Sequence, residues 1–179
     1  FFGLGAEVMQ RLGVSTSLLA AGDIFPALER GAIDATEFSM PLIDQRLGFY
    51  NIASNNYFPG WHQPATMFEL LVNRDRWEDL DEFAQNQIEV ACLANITTNF
   101  AEGEAKNFAA MVANVEENGV TIRQWPQEML DTFEATWEEV AAELASEDEY
   151  FKLVWDDLQE FRAGYKTWNE NIYLPRPRN

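Results

Sequence analysis

Helical and strand-like spacing alternate from Leu4 to Leu47, and that alternation is the strongest constraint on what this chain can fold into. Leu4, Val8 and Leu12 recur at helical intervals before Gly13, which reads as a helix stop. Val14 to Ala20 alternates weakly as a strand. Gly22-Asp23 then opens a helix through Phe25, Leu28 and Arg30 that stops at Gly31. Ile33 to Phe38 is short and rich in β-formers. Ser39-Met40-Pro41 supplies a hydroxyl cap and a first-turn proline for a further helix to Leu47. Helix, strand, helix, strand, helix predicts an α/β sheet with crossover helices. Gly3-Leu4-Gly5 lacks the third glycine and the preceding strand of a nucleotide-binding loop and reads as a tight turn.

Beyond residue 65 the pattern changes. Thr66 to Val72 is an apolar run of strand length ended by Asn73. Asp81 to Asn118 keeps helical spacing without a proline, as one long helix or two joined near Gly103. Its Asn95-Ile96-Thr97 matches a glycosylation sequon but falls inside a helix and is discounted. Val120 to Trp125 reads as a single short strand whose partner must be distant in sequence. Pro126 opens a helix to about Ala145, and Glu147 to Asn171 makes the last one. In that last helix Tyr150, Val154, Leu158, Phe161, Tyr165 and Trp168 form one stripe, expected to pack on a neighbour or to make a dimer contact. The acidic residues from Glu138 to Glu149 read as a solvated face, and Pro175-Arg176-Pro177-Arg178 as a polar tail.

Side chains suited to function concentrate between Ala32 and Pro64. Glu37 and Phe38 fall at the carboxyl end of the expected strand, the edge where ligands bind in open α/β sheets. The run from Asn55 to Pro64 adds Tyr57, Phe58, Trp61, His62 and Gln63, an apolar wall with hydrogen-bonding groups. A net charge of −18, from 30 acidic and 12 basic residues, opposes binding to nucleic acid or anionic lipid. It also means that an anionic solute needs a local cation. The single cysteine, Cys92, excludes an internal disulfide and reads as a small buried apolar group. With one histidine there is no Cys/His metal cluster to assemble. Glu37 with Asp34 or Asp44 could form a carboxylate pair, but nothing in the spacing fixes their separation. His62 has no serine or cysteine nucleophile in a recognisable setting and reads as a hydrogen-bonded structural residue. The chain is therefore read as a non-enzyme. No apolar run approaches the roughly 18 residues that a bilayer span needs.

The strings FFGLGAEVMQRLGV, GAIDATEFSMPLIDQRLGFYNIA, YFPGWHQP and FELLVNRDRWEDL, in this order, closely resemble the solute-binding receptors of TRAP (tripartite ATP-independent periplasmic) transporters. The likeness is greatest to the branch that binds 2-oxo acids and related carboxylates. The resemblance implies a periplasmic-binding-protein-like α/β fold. In that scheme 1–72 is part of a ligand-binding lobe, 73–146 the long connecting helix with a short strand and a following helix, and 147–179 the aromatic carboxyl-terminal helix and tail. It implies capture of a small organic carboxylate in the periplasm, delivery to membrane permease subunits, and a homodimer through the carboxyl-terminal helix. The competing class is a non-catalytic scaffold of the same fold that binds a partner through its aromatic helix.

The resemblance also implies site residues: Glu37, Phe38, Ser39, Tyr57, Trp61 and Gln63 on the ligand. Phe38 stands where many such receptors carry tryptophan, a residue that gives a backbone oxygen to a sodium or calcium ion. Their loop usually reads close to GWWEP, its glutamate a charged cation ligand; here Gly60-Trp61-His62-Gln63-Pro64 offers the neutral Gln63. No cofactor is expected beyond such an ion. The resemblance places Phe1 near the middle of a receptor about twice this length. On that expectation the export signal and the arginine that clamps the substrate carboxylate lie upstream of Phe1.

Overall fold

The structure, a computed structural model, describes residues 1, 3–63, 66 and 68–174. Its elements in chain order are α1 (Gly3–Arg11), α2 (Ala21–Glu29), α3 (Pro41–Arg46), a 3-10 turn (Phe49–Asn51), β1 (Asn55–Phe58), α4 (Arg74–Glu78), α5 (Glu82–Glu116), β2 (Thr121–Gln124), α6 (Gln127–Glu147) and α7 (Glu149–Ile172). No helix among the described residues is long and apolar enough to cross a membrane.

α4, α5 and α7 begin where short polar side chains satisfy their free N–H groups. Asp81 accepts from Ala84 N–H at 2.7 Å, Asp148 from Phe151 N–H at 2.7 Å and Asn73 from Arg76 N–H at 3.2 Å. Between Asp81 and Glu117 the helix is unbroken, so Gly103 does not divide it. One interior glycine costs about 1 kcal/mol, too little to interrupt so long a run. At its end Gly119 takes φ +70°, a left-handed turn open to glycine, and Val120 N–H returns to the Asn114 carbonyl.

The sheet among the described residues is one parallel pair. Asn55, Asn56, Tyr57 and Phe58 lie opposite Thr121, Ile122, Arg123 and Gln124. Thr121 N–H donates to the Ser54 carbonyl and Trp125 N–H to the Phe58 carbonyl, extending the ladder at both ends. Parallel strands need a crossover of a dozen or more residues, and α4 and α5 provide it. The distant partner that the strand at Val120 requires is thus Asn55–Phe58, a run to which the sequence reading assigns no strand. Conversely, Val14–Ala20 and Ile33–Phe38 take no ladder. β-Branched residues favour an extended backbone, but a strand exists only where a partner lies alongside. Residues 68–73 also take none, and Phe68 and Leu71 remain exposed. Pro64, Ala65, Met67 and the Pro175–Arg178 tail lie outside the described residues.

Two compact units are distinguished. One comprises Phe1–Gly5 and Ser17–Pro126, the other Ala6–Thr16 and Gln127–Asn179. In the first, α3 packs on α5, where Leu42 N–H donates to Asn107 Oδ1 at 3.1 Å. Phe25 and Phe38 converge on the buried ring of Phe49, at 6.0 and 5.4 Å between centroids, with Ala27, Ala110 and Val120 also buried. Cys92 is exposed on α5, not buried as its residue type leads one to expect. In the second unit Val8, Met9, Phe133, Val140 and Ala141 form the core. Arg11 forks onto Glu143 at 2.9 and 2.5 Å and reaches Glu7 at 3.1 Å. α6 packs on α7 through Trp137 and Trp155, edge to face at 5.6 Å. The stripe expected to pack on a neighbour is instead open: Tyr150, Val154, Phe161, Tyr165 and Trp168 are all exposed, because α7 meets α6 through Trp155 and leaves the stripe to one side.

Candidate functional site

The extended segment 35–40 and the loop 59–63 hold most of the side chains singled out by sequence. Alternate residues of an extended chain point to opposite sides, and Glu37 and Phe38 do so. Phe38 turns inward onto Phe49, while Glu37 faces His62, with Nε2 to Oε2 at 3.5 Å. That separation is too long for a well-formed hydrogen bond, and Nε2 is buried without a hydrogen-bond partner. The facing imidazole holds the Glu37 carboxyl below the usual range, against the opposing effect of burial.

His62 sits in an aromatic corner. Its ring centroid is 5.1 Å from that of Trp61 and 5.3 Å, edge-on, from that of Phe1, and Phe1 and Trp61 are 6.0 Å apart. Gln63, next in the chain, is exposed, and its Nε2 donates to Thr66 Oγ1 at 2.8 Å. Tyr57, on β1, lies over Trp125 with centroids 4.7 Å apart. Ser39 is exposed and does not cap α3. Met40 occupies the cap position without a side-chain hydrogen bond, and Pro41 stands in the first turn as expected. The Ser39 backbone N–H, close to the Asp44 carboxylate, favours its charged form.

Asp44 is the feature that sequence reasoning left undeveloped. Its Oδ1 is buried without a hydrogen-bond partner. Burial, reinforced by the negative charge of Glu37, pushes its pKa from 3.8 up to about 6, with the Ser39 N–H acting in the opposite sense. It borders a cavity of about 80 Å³ shared with Thr36, Phe38, Tyr50, Asn114 and Val120. Ligand pockets usually enclose at least about 300 Å³, so this cavity does not by itself surround a solute. Among the described residues no three His, Cys, Asp or Glu side chains gather where they could share a metal ion. The structure thus brings together Glu37, His62 and Trp61, sends Phe38 into the core, and sets Tyr57 on a separate aromatic pair. The signal for Asp44 was its place on the inner side of a short helix beside the acidic Glu37. Gly5, which touches His62, was read with Gly3 as part of a tight turn and lies instead inside α1.

Against this geometry the likeness to known proteins can be set. The family model for bacterial extracellular solute-binding proteins, family 7 (DctP), matches residues 3–148. The monocarboxylate 2-oxoacid-binding periplasmic protein of Nostoc sp. is 34% identical over 167 residues, 93% of this chain and 46% of that protein. A TRAP transporter solute-binding protein of Bordetella bronchiseptica, a mixed-occupancy dimer with copurified calcium and picolinate, superposes with a TM-score of 0.81 at 32% identity over 96% of this chain. The Pseudoalteromonas atlantica receptor with bound sodium and pyruvate gives 0.84 at 27% identity over 95%. The chain spans 52% of each of these two structures, about half the length of the relatives it matches. The expected periplasmic-binding-protein-like fold, represented by one lobe with its long helices, is the fold these structures share with it. The chain belongs to the DctP family of bacterial extracellular solute-binding proteins.

Proposed function

We propose that this chain supplies one lobe of a periplasmic receptor that captures a small organic carboxylate, a 2-oxo acid or a close relative, and delivers it unchanged to a TRAP permease. The observation that carries this reading is the 34% identity, over 93% of the chain, to a protein named for binding monocarboxylate 2-oxo acids. Glu37, Phe38, Ser39, Tyr57, Trp61 and Gln63 are the proposed contact residues. Trp61 gives the solute an apolar wall, Gln63 and Ser39 offer hydrogen bonds, and Phe38 contributes its backbone while its ring anchors that backbone on Phe49. With a net charge of −18 the chain repels anions at long range, so the solute carboxylate must meet positive charge close by. Bidentate arginine recognition suits that task.

A bound sodium or calcium ion would supply positive charge in the same place. Hard cations take neutral oxygens, and the Gln63 Oε1 and the Phe38 carbonyl are of that kind. With Gln63 Nε2 donated to Thr66, Oε1 is the end of the amide that can accept a cation or face a donor. Neither of those two oxygens carries a formal negative charge, so we propose that solute binding depends little on the ion. The exposed stripe of α7 is the proposed face for a second copy of the receptor, a reading favoured by its exposed large apolar side chains: Tyr150, Val154, Leu158, Phe161, Tyr165 and Trp168.

Calorimetric titration of pyruvate and longer 2-oxo acids tests the reading. The 179-residue chain alone is expected to bind weakly, and a two-lobe form, the chain joined to the part of the Nostoc relative that it does not match, to bind in the micromolar range. The contact with one partner of a buried charge pair removed costs about 2–5 kcal/mol, which accounts for the difference. If the two-lobe form binds none of these acids while folding normally, the carboxylate reading fails.

A further inference from the structure

The two loop residues proposed to face the solute, Trp61 and Gln63, flank one that faces inward. The His62 side chain is only 12% exposed. It is held from several sides at once. Glu37 meets Nε2 at 3.5 Å, and the Phe1 ring packs edge-on against the imidazole. On the remaining side lies Gly5, buried in α1, where a Cβ would come within 2.7 Å of His62 Cδ2 and 3.2 Å of Cγ. Real Cβ atoms do not approach that closely, so the imidazole occupies a notch that exists because residue 5 has no side chain. Cγ and Cδ2 are rigid ring atoms near the base of the side chain and cannot swing aside alone, so a displaced imidazole displaces the backbone of residue 62. That backbone is shared with Trp61 and Gln63.

We propose that His62 is a positioning residue: seated in the Gly5 notch of α1 and braced on Glu37, it fixes the backbone of loop 60–63 and so sets the orientation in which Trp61 and Gln63 meet the solute. The solute's part in this rests on the function proposed above; the clamp itself does not. Binding groups need their supporting contacts to hold them within about 0.5 Å of the productive geometry, and a loop residue on the surface gains that precision from a neighbour packed into the fold.

The test uses the 179-residue chain labelled with 5-fluorotryptophan, its Trp61 resonance assigned by Trp61→Phe. In the unmodified chain that resonance should be single and narrow. His62→Ala and Gly5→Ala should each move or split it, and each should weaken pyruvate binding by about tenfold in the two-lobe form. Gly5→Ala should have no further effect in the His62→Ala background, since only Cβ of residue 62 then lies near the new methyl, at 3.5 Å, an ordinary van der Waals contact. His62→Gln, which can still reach Glu37, should restore part of the affinity; a loss that merely follows lowered stability would not be restored in this way. If Gly5→Ala alone fails to fold but folds with His62→Ala, the collision is demonstrated directly. A Trp61 resonance unmoved by His62→Ala in a folded protein, or a Gly5→Ala effect of equal size with and without His62, overturns the proposal. Should no form bind a 2-oxo acid, the solute reading fails, and the fluorine resonances still decide the clamp.

Discussion

Replacing Asp44 by asparagine should stabilise the protein at neutral pH, because the carboxylate is placed where its charge is unwelcome. Its pKa rises from 3.8 to about 6 on folding, through burial first and the negative charge of Glu37 second. The folded state therefore binds the proton more tightly than the unfolded state, so stability falls as pH rises between about 4 and 6. The penalty is fully present above that window and absent below it. A rise of that size is equivalent to ~3 kcal/mol, and since the side chain is only partly buried, screening reduces it to roughly 1–2 kcal/mol. Asparagine has the same shape and never ionises. Urea denaturation of both proteins should show Asp44→Asn ahead by roughly 1–2 kcal/mol near pH 7 and level with the parent near pH 4. A variant less stable at pH 7, or an advantage unchanged across that range, refutes the assignment of Asp44 as a buried, electrostatically opposed acid.

Two further outcomes are expected. Affinity for a 2-oxo acid should change less than about tenfold with added sodium or calcium, and Gln63→Glu should introduce a dependence above that level, both read by calorimetry with each ion present and absent. On α7, Trp155→Ala should cost about 2–3 kcal/mol of stability, since Trp155 meets Trp137 and Phe151 and lies beneath Arg162. Trp168→Ala should leave the melting temperature unchanged and lower the mass seen by light scattering; equal melting losses in both variants would show that the stripe serves the fold of the chain, not a second copy.

Helices were the most legible part of the sequence, because their signals are local. Asp81 and Asp148 stand where caps are needed, and the spacing of apolar residues between them needs no distant partner. Strands were read poorly for the converse reason. Ile33–Phe38 has the composition of a strand without a ladder, while Asn55-Asn56-Tyr57-Phe58, with two asparagines, pairs because Thr121–Gln124 is brought beside it by α5. The same limit applies to the site. Glu37, Trp61 and Gln63 could be named from their strings, but the contact between Glu37 and His62 spans two segments, and the notch at Gly5 belongs to a third. Cys92 and the α7 stripe show the opposite error, in which residue type and spacing suggest burial and the neighbours are not there to provide it.

The pairing of β1 with β2 also bears on the order in which the chain can fold. Thr121 N–H finds the Ser54 carbonyl only after the whole of α4 and α5 has been looped out between them. Closing a long loop has an entropic cost that must be met before the ladder returns any free energy. α6 and α7, by contrast, are joined by a single capping residue, Asp148, and meet through Trp137 and Trp155 with little chain to close. Local helix pairing of that kind proceeds orders of magnitude faster than non-local strand pairing. The α6–α7 hairpin should therefore gain amide protection early in pulsed hydrogen exchange, and Thr121 late. The strand that carries Tyr57 is then set in place only as its long-range pairing with β2 forms.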